Sequence, residues 1–121
     1  MLDHVGFDVA DLDRSARFYD AVFFALGTRR AHQSPSAIAY GDNGPAFWIV
    51  QRGRLPQPGY GHVALRATGK AAVEAAHAAG LEHGGADDGP PGPRPHYGRR
   101  YFAAYLRDPD GLRVEIVAGS G

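Results

Sequence analysis

A short pattern occurs twice in this chain, and it limits the possible folds more than any other feature. Asp3-His4-Val5-Gly6-Phe7 returns as Gly61-His62-Val63-Ala64-Leu65, each copy followed by a helical stretch that closes on a glycine, Gly27 in the first and Gly80 in the second. In residues 2–9, Val5, Phe7 and Val9 fall on one face and Leu2, His4, Gly6 and Asp8 on the other, the period of a strand. Asp11 to Asp13 offers a helix start, and Phe18, Val22 and Leu26 recur at helical spacing, which predicts a helix over about 13–26 and an alanine-rich counterpart over about 69–79. Strand-like segments near 28–32, 37–40 and 46–51, separated by turns rich in Gly, Pro, Ser and Asn, complete the first unit.

The second unit ends in the clearest hairpin of the chain, Tyr105 to Val117. Asp108-Pro109-Asp110-Gly111 is turn chemistry: proline presets φ, glycine accepts a positive φ, and the aspartates bond back to the backbone. After the turn Leu112, Val114 and Ile116 point one way while Arg113 and Glu115 point the other, so Glu115 sits mid-strand on a polar face, as His4 and His62 do on theirs. Before the turn Tyr101, Ala103, Tyr105 and Arg107 share a face opposite Phe102 and Leu106. The chain therefore reads as one α+β domain of two βαβββ modules, module one over about 1–51, a linker at 52–59 and module two over about 60–118. Residues 84–95, rich in Gly and Pro, read as a surface loop or lid, and His32, His77 and His83 as surface residues.

A length of 121 residues suits one domain with a real core. Lys plus Arg and Asp plus Glu number 13 each, so no broad field draws nucleic acid or an anionic membrane, and the cluster Arg94, Arg99 and Arg100 is read as local. Cysteine is absent, which removes disulfides and thiol ligands and fits a reducing cytoplasm. No leader pattern and no run of about 18 apolar residues is present, so a soluble cytoplasmic protein is expected.

Through Leu2-Asp3-His4-Val5, Gly61-His62-Val63-Ala64-Leu65 and Asp108-Pro109-Asp110-Gly111-Leu112-Arg113-Val114-Glu115, nearly the whole chain resembles the vicinal-oxygen-chelate superfamily: glyoxalases, fosfomycin-resistance transferases, bleomycin-binding proteins and extradiol dioxygenases. The resemblance implies that the two modules curl a mixed sheet around a shared cavity. It also implies a divalent metal on His4, His62 and Glu115. The family's fourth ligand position aligns with Trp48 or Ile49, neither a metal ligand, and only a register slip brings in Gln51; this speaks against glyoxalase activity.

Two histidines and one carboxylate leave coordination sites open, the set used by non-haem Fe(II) oxygenases, with Mn, Zn or Ni also compatible. Tyr105 lies ten residues before Glu115 and His96 nineteen before it, spacings that resemble the extradiol-dioxygenase signature, although Arg94 and Ala104 depart from it. The resemblance thus implies Tyr105 and His96 as catalytic residues, acting on a small substrate with two adjacent oxygens, while the aromatic residues Trp48, Phe47 and Tyr101 are expected to line the substrate-binding cleft. Dioxygenase-like chemistry is the leading expectation, a metal-dependent isomerase, lyase or thiol transferase the first alternative, and a metal-free drug- or metabolite-binding protein the second. Superfamily relatives commonly dimerise, so a homodimer is expected.

Overall fold

Asp11 opens the first helix in the computed structural model, which describes residues 1–121. Its side chain accepts from the Arg14 N–H at 3.1 Å, and the Gln51 side-chain oxygen accepts from the Leu12 N–H at 2.8 Å, satisfying two of the free donors at the helix start. The elements in chain order are β1 (Val5–Asp8), α1 (Leu12–Ala25), β2 (Arg30–Gln33), β3 (Ala37–Tyr40), β4 (Phe47–Val50), β5 (His62–Arg66), α2 (Lys70–Glu82), β6 (Ala86–Pro93), β7 (Phe102–Arg107) and β8 (Arg113–Ala118). Both βαβββ modules are present. They form two four-stranded mixed sheets, ordered β1-β4-β3-β2 and β5-β8-β7-β6, which share no hydrogen-bonded strand pair and do not close. In each sheet the first strand runs parallel to the last and lies at an open edge.

The period-two alternation decides which sheet face meets a helix. Phe47 and Ile49 of β4 and Ile38 and Tyr40 of β3 turn onto α1, where Phe23 stacks on Tyr40 at 4.5 Å between ring centroids and Tyr19 meets Phe47 at 4.9 Å. Leu106, Val114 and Ile116 do the same toward Val73 and Ala76 of α2. The two helices also pack on each other, so both modules share one hydrophobic cluster, and each fully buried large side chain there contributes about 1.5–3 kcal/mol.

Three sequence expectations need correction. α2 does not stop at Gly80 but runs through it to Glu82, because Gly80 is needed for contact rather than for termination: a Cβ there would lie 2.5 Å from Leu106 Cδ1 and 3.1 Å from Phe18 Cε1. Most of the stretch 84–95 is not a loop, since β6 occupies Ala86–Pro93. Its prolines are tolerated because β6 is an edge strand, and its glycines coincide with register shifts between Asp87 and Gly89 and between Gly89 and Gly92. His77 is buried rather than superficial, and its Nε2 lies 2.9 Å from Asp87 Oδ1, on the strand that the Gly and Pro content concealed. No helix is long and apolar enough to cross a membrane.

The Asp108-Pro109-Asp110-Gly111 turn does more than reverse the chain. Asp108 accepts from the Tyr19 hydroxyl at 2.6 Å with one oxygen and from the Asp110 and Leu112 N–H groups at 2.9 Å with the other, while Arg14 reaches Asp110 at 2.7 Å. The turn of module two is thereby fastened to the helix of module one. Burial pushes the Asp108 carboxyl up, and the donated hydrogen bonds from Tyr19, Leu112 and Asp110 pull it back down. Tyr19→Phe removes one of these donors and is expected to cost about 1–3 kcal/mol. A carboxyl whose folded pKa is raised contributes stability that is present at low pH and lost as pH rises through the folded value. The variant raises that value further, so its deficit is smallest near about pH 3 and widens toward neutrality. Urea-unfolding midpoints at the two pH values check both the size and the trend.

Candidate active site

Module two brings two of the expected ligands together. β5 and β8 pair in parallel with Ala64 opposite Glu115, so His62, two residues earlier on the same face, lies diagonally beside the carboxylate. His62 Nε2 is 3.1 Å from Glu115 Oε1. This separation would let both atoms hold one divalent ion. Glu115 is only 2% exposed, and no Arg or Lys pairs with it. A buried carboxylate that pairs with no Arg or Lys and has an imidazole nitrogen beside it is a donor set that fits a divalent cation. The Tyr101 hydroxyl donates to Oε2, leaving Oε1 to face His62, and this bond is the largest cause raising the Tyr101 phenol well above its ordinary value.

Tyr105 stands directly opposite Glu115 across the β7–β8 ladder, its ring centroid 6.2 Å from that of His62. The Arg113 guanidinium lies 3.9 Å over the Tyr105 ring, and Asp88 holds Arg113 at 2.8 Å and Arg107 at 3.1 Å. Burial, and then the charge of Glu115, raise the Tyr105 phenol, which therefore stays protonated at neutral pH and acts as a donor. His96 sits farther out in the β6–β7 connection, its ring 4.2 Å from Tyr97, whose ring is 5.4 Å from Tyr101. That aromatic series ends at Tyr101, whose hydroxyl donates to Glu115.

In module one His4 precedes β1, with Nδ1 2.7 Å from Asp3 Oδ1. That contact places the proton on Nδ1 and leaves Nε2 free to ligate. Matching His4 to His62 makes Gly6 the counterpart of Ala64, and the strand opposite then carries Trp48 where module two carries Glu115. Trp48 thus holds the fourth ligand position, with Ile49 buried in the core and Gln51 committed to the start of α1. Phe47, expected beside substrate, instead points into the core among Tyr19, Phe23 and Phe7, because strand alternation sends it to the opposite face from Trp48. On the helix-free face, His4, Trp48, Asp8, Arg52 and Arg54 line a cleft of about 520 Å³. Within one chain, no three His, Cys, Asp or Glu side chains converge, so His4 remains apart from the His62–Glu115 pair.

The sequence model of the glyoxalase/bleomycin resistance protein/dioxygenase superfamily matches residues 1–116. The chain belongs to this superfamily. A glyoxalase/bleomycin resistance protein from Albidiferax ferrireducens is similar at 33% identity and a TM-score of 0.85, over 97% of each chain. The fosfomycin resistance protein FosX from Mesorhizobium loti matches at 24% identity and a TM-score of 0.71, over 98% of this chain and 92% of that one, a likeness of fold. A glyoxalase I mutant from Zea mays matches at 26% identity and a TM-score of 0.69, over 94% of this chain and 44% of that one. A search of curated proteins gives no match.

Except for Arg113, the further residues at the site carry no signal of a role in the sequence pattern. Arg113 shares the polar face of Glu115 by simple alternation, a legible signal. Asp88, which orients it, lay in the stretch taken for a loop. Arg52 and Arg54 stand in the linker, where no periodicity marks them, and His32 approaches Trp48 at 5.1 Å only because β2 and β4 flank β3.

Proposed function

We propose that the chain is a metal-dependent enzyme of the superfamily that holds one divalent ion per site through His62 and Glu115 of one copy and His4 of a second, and acts on a small substrate with two adjacent oxygens. The convergence of His62 Nε2 and Glu115 Oε1 at 3.1 Å, on a buried carboxylate that pairs with no Arg or Lys, carries this reading. The separation of His4 from that pair within one chain supports the second copy, since β1, which follows His4, and β5, which carries His62, both lie at open sheet edges.

A divalent ion supplies charge stabilisation at chelated substrate oxygens and, as Fe(II), the redox partner for dioxygen. The chain's own residues do the rest. Tyr101 fixes the Glu115 carboxylate by donating to Oε2, and Asp3 fixes the His4 tautomer. Trp48, which cannot ligate, leaves coordination space for substrate and offers an apolar wall. Tyr105, protonated and held under Arg113, donates a hydrogen bond to negative charge developing on the substrate. Extradiol-type ring cleavage with Fe(II) is the proposed reaction class. The Tyr105-to-Glu115 spacing and the donor set of two histidines and one carboxylate support it.

The deciding experiment is anaerobic purification followed by elemental analysis, light scattering and oxygen uptake with a panel of catechols. The expected result is a homodimer with about one Fe(II) per chain and catechol-dependent oxygen consumption. Binding of Mn, Zn or Ni without oxygen uptake moves the assignment to isomerisation or thiol addition. Failure to bind any of these ions moves it to sequestration of a drug or metabolite, and a monomer near the 12.9 kDa chain mass removes the shared site.

A further inference from the structure

We propose that the cleft of module one binds a planar organic anion, its flat part against the Trp48 indole and its carboxylate or phosphonate group between Arg52 and Arg54. The inference rests on the metal-enzyme reading only in making this ligand the substrate class of the site beside His4. The cleft's own chemistry stands without the ion.

The cleft volume of about 520 Å³ falls within the usual range for small-molecule sites. Its charge is unbalanced. Asp8 is the one acid paired with either guanidinium, 2.5 Å from Arg54 Nη2 and 3.5 Å from Arg52 Nε, so two positive charges face one negative. The loose pairing of Arg52 through Nε leaves its terminal N–H groups free, and the two arginine side chains are 57% and 61% exposed. Asp8 acts here as a tether that holds both forks at the cleft mouth, and an incoming anion supplies the missing charge through the two parallel N–H groups that a guanidinium presents. The floor is equally specific. Gly6 faces Trp48 across the β1–β4 ladder and carries no side chain, so it leaves the indole uncovered. A Cβ built on Gly6 lies 3.6 Å from Trp48 Cβ, an ordinary contact, so a larger residue there fills the cleft without disturbing the sheet.

Trp48 is the only tryptophan in the chain, and its fluorescence therefore reports on the cleft. The full-length protein, freed of metal by chelator, is titrated with benzoate, phenylphosphonate and the neutral isostere benzamide. Saturable quenching by at least one anion is expected, with benzamide at least about tenfold weaker, and the better of the two anions identifies the headgroup. Arg52→Gln and Arg54→Gln are each expected to weaken that anion by roughly ten- to a hundredfold while leaving benzamide unchanged, and added salt weakens the anion alone. Gly6→Val is expected to abolish binding of all three probes with an unaltered circular dichroism spectrum. Equal binding of benzamide and the anions, no quenching by either anion, or anion affinity untouched in the doubly substituted Arg52→Gln, Arg54→Gln protein each overturns the proposal. Metal titration of the same preparation is a separate readout. A protein that takes up metal but ignores the anions loses only this inference, and one that binds the anions but no metal loses only the metal-enzyme reading.

Discussion

His62→Ala is expected to lose divalent-ion affinity by about a hundredfold or more, since removing even a residue that merely orients a ligand costs ten- to a hundredfold. His4→Ala is expected to do the same, although its imidazole lies away from the His62–Glu115 pair in its own chain. The two defects are expected to complement. When the variants are mixed and allowed to exchange, half of the dimers are mixed, and in each of these one site receives His4 and His62 intact while the other lacks both. About one quarter of wild-type metal capacity should therefore return, where neither parent alone binds. Isothermal titration of the parents and of the exchanged mixture measures it. A mixture no better than its parents means that all three ligands come from one chain, through a rearrangement that brings the two sheets together.

The division of the site between copies that we propose could not be read from the sequence, whereas its proposed members could. His4, His62 and Glu115 stand out because each is a metal-binding type on the polar face of an alternating strand, and alternation is a local property that a strand keeps in any context. Their convergence is not local. It depends on how the modules are placed, and the sequence marks the modules by repetition without marking which face meets which. The same limit explains Phe47, whose aromatic character fits a binding cleft as well as a core; only the register of β4 against β1 and β3 turns it inward and turns Trp48 outward.

β6 is illegible in the sequence for a different reason. Its Gly and Pro residues argue against a central strand, and the argument fails because an edge strand needs only half of its backbone groups paired. The illegibility of β6 also hides Asp87 and Asp88, and with them the partner of the buried His77 and the residue that holds Arg113 over Tyr105. The helices were legible nearly to the residue at their starts, where Asp11 caps α1, and less so at the end of α2, where a glycine required by packing imitates a stop.

Tyr105→Phe and Tyr101→Phe each delete one hydroxyl from the same face of β7 and its approach, yet their effects are expected to differ in kind. The Tyr101 hydroxyl is bonded to Glu115 Oε2 in the resting protein, so its loss frees the carboxylate to rotate and should lower metal affinity by about ten- to a hundredfold, as losing a partner of a metal ligand does. The Tyr105 hydroxyl lies near enough to Glu115 for that carboxylate to raise it, but it does not make the direct bond to Oε2 that Tyr101 makes, and its ring is held by Arg113 at 3.9 Å. Its hydroxyl is therefore available for a bond formed as charge develops on the substrate, and losing such a bond lowers kcat by roughly ten- to a thousandfold while metal content stays near that of wild type. Metal analysis and oxygen uptake on Fe(II)-loaded wild type and both variants separate the two cases. Depletion of metal in Tyr105→Phe reassigns that residue to support of the ligands, and an unchanged rate removes it from the mechanism. A Tyr101→Phe protein that retains full metal affinity shows that burial and His62 alone hold Glu115 in place.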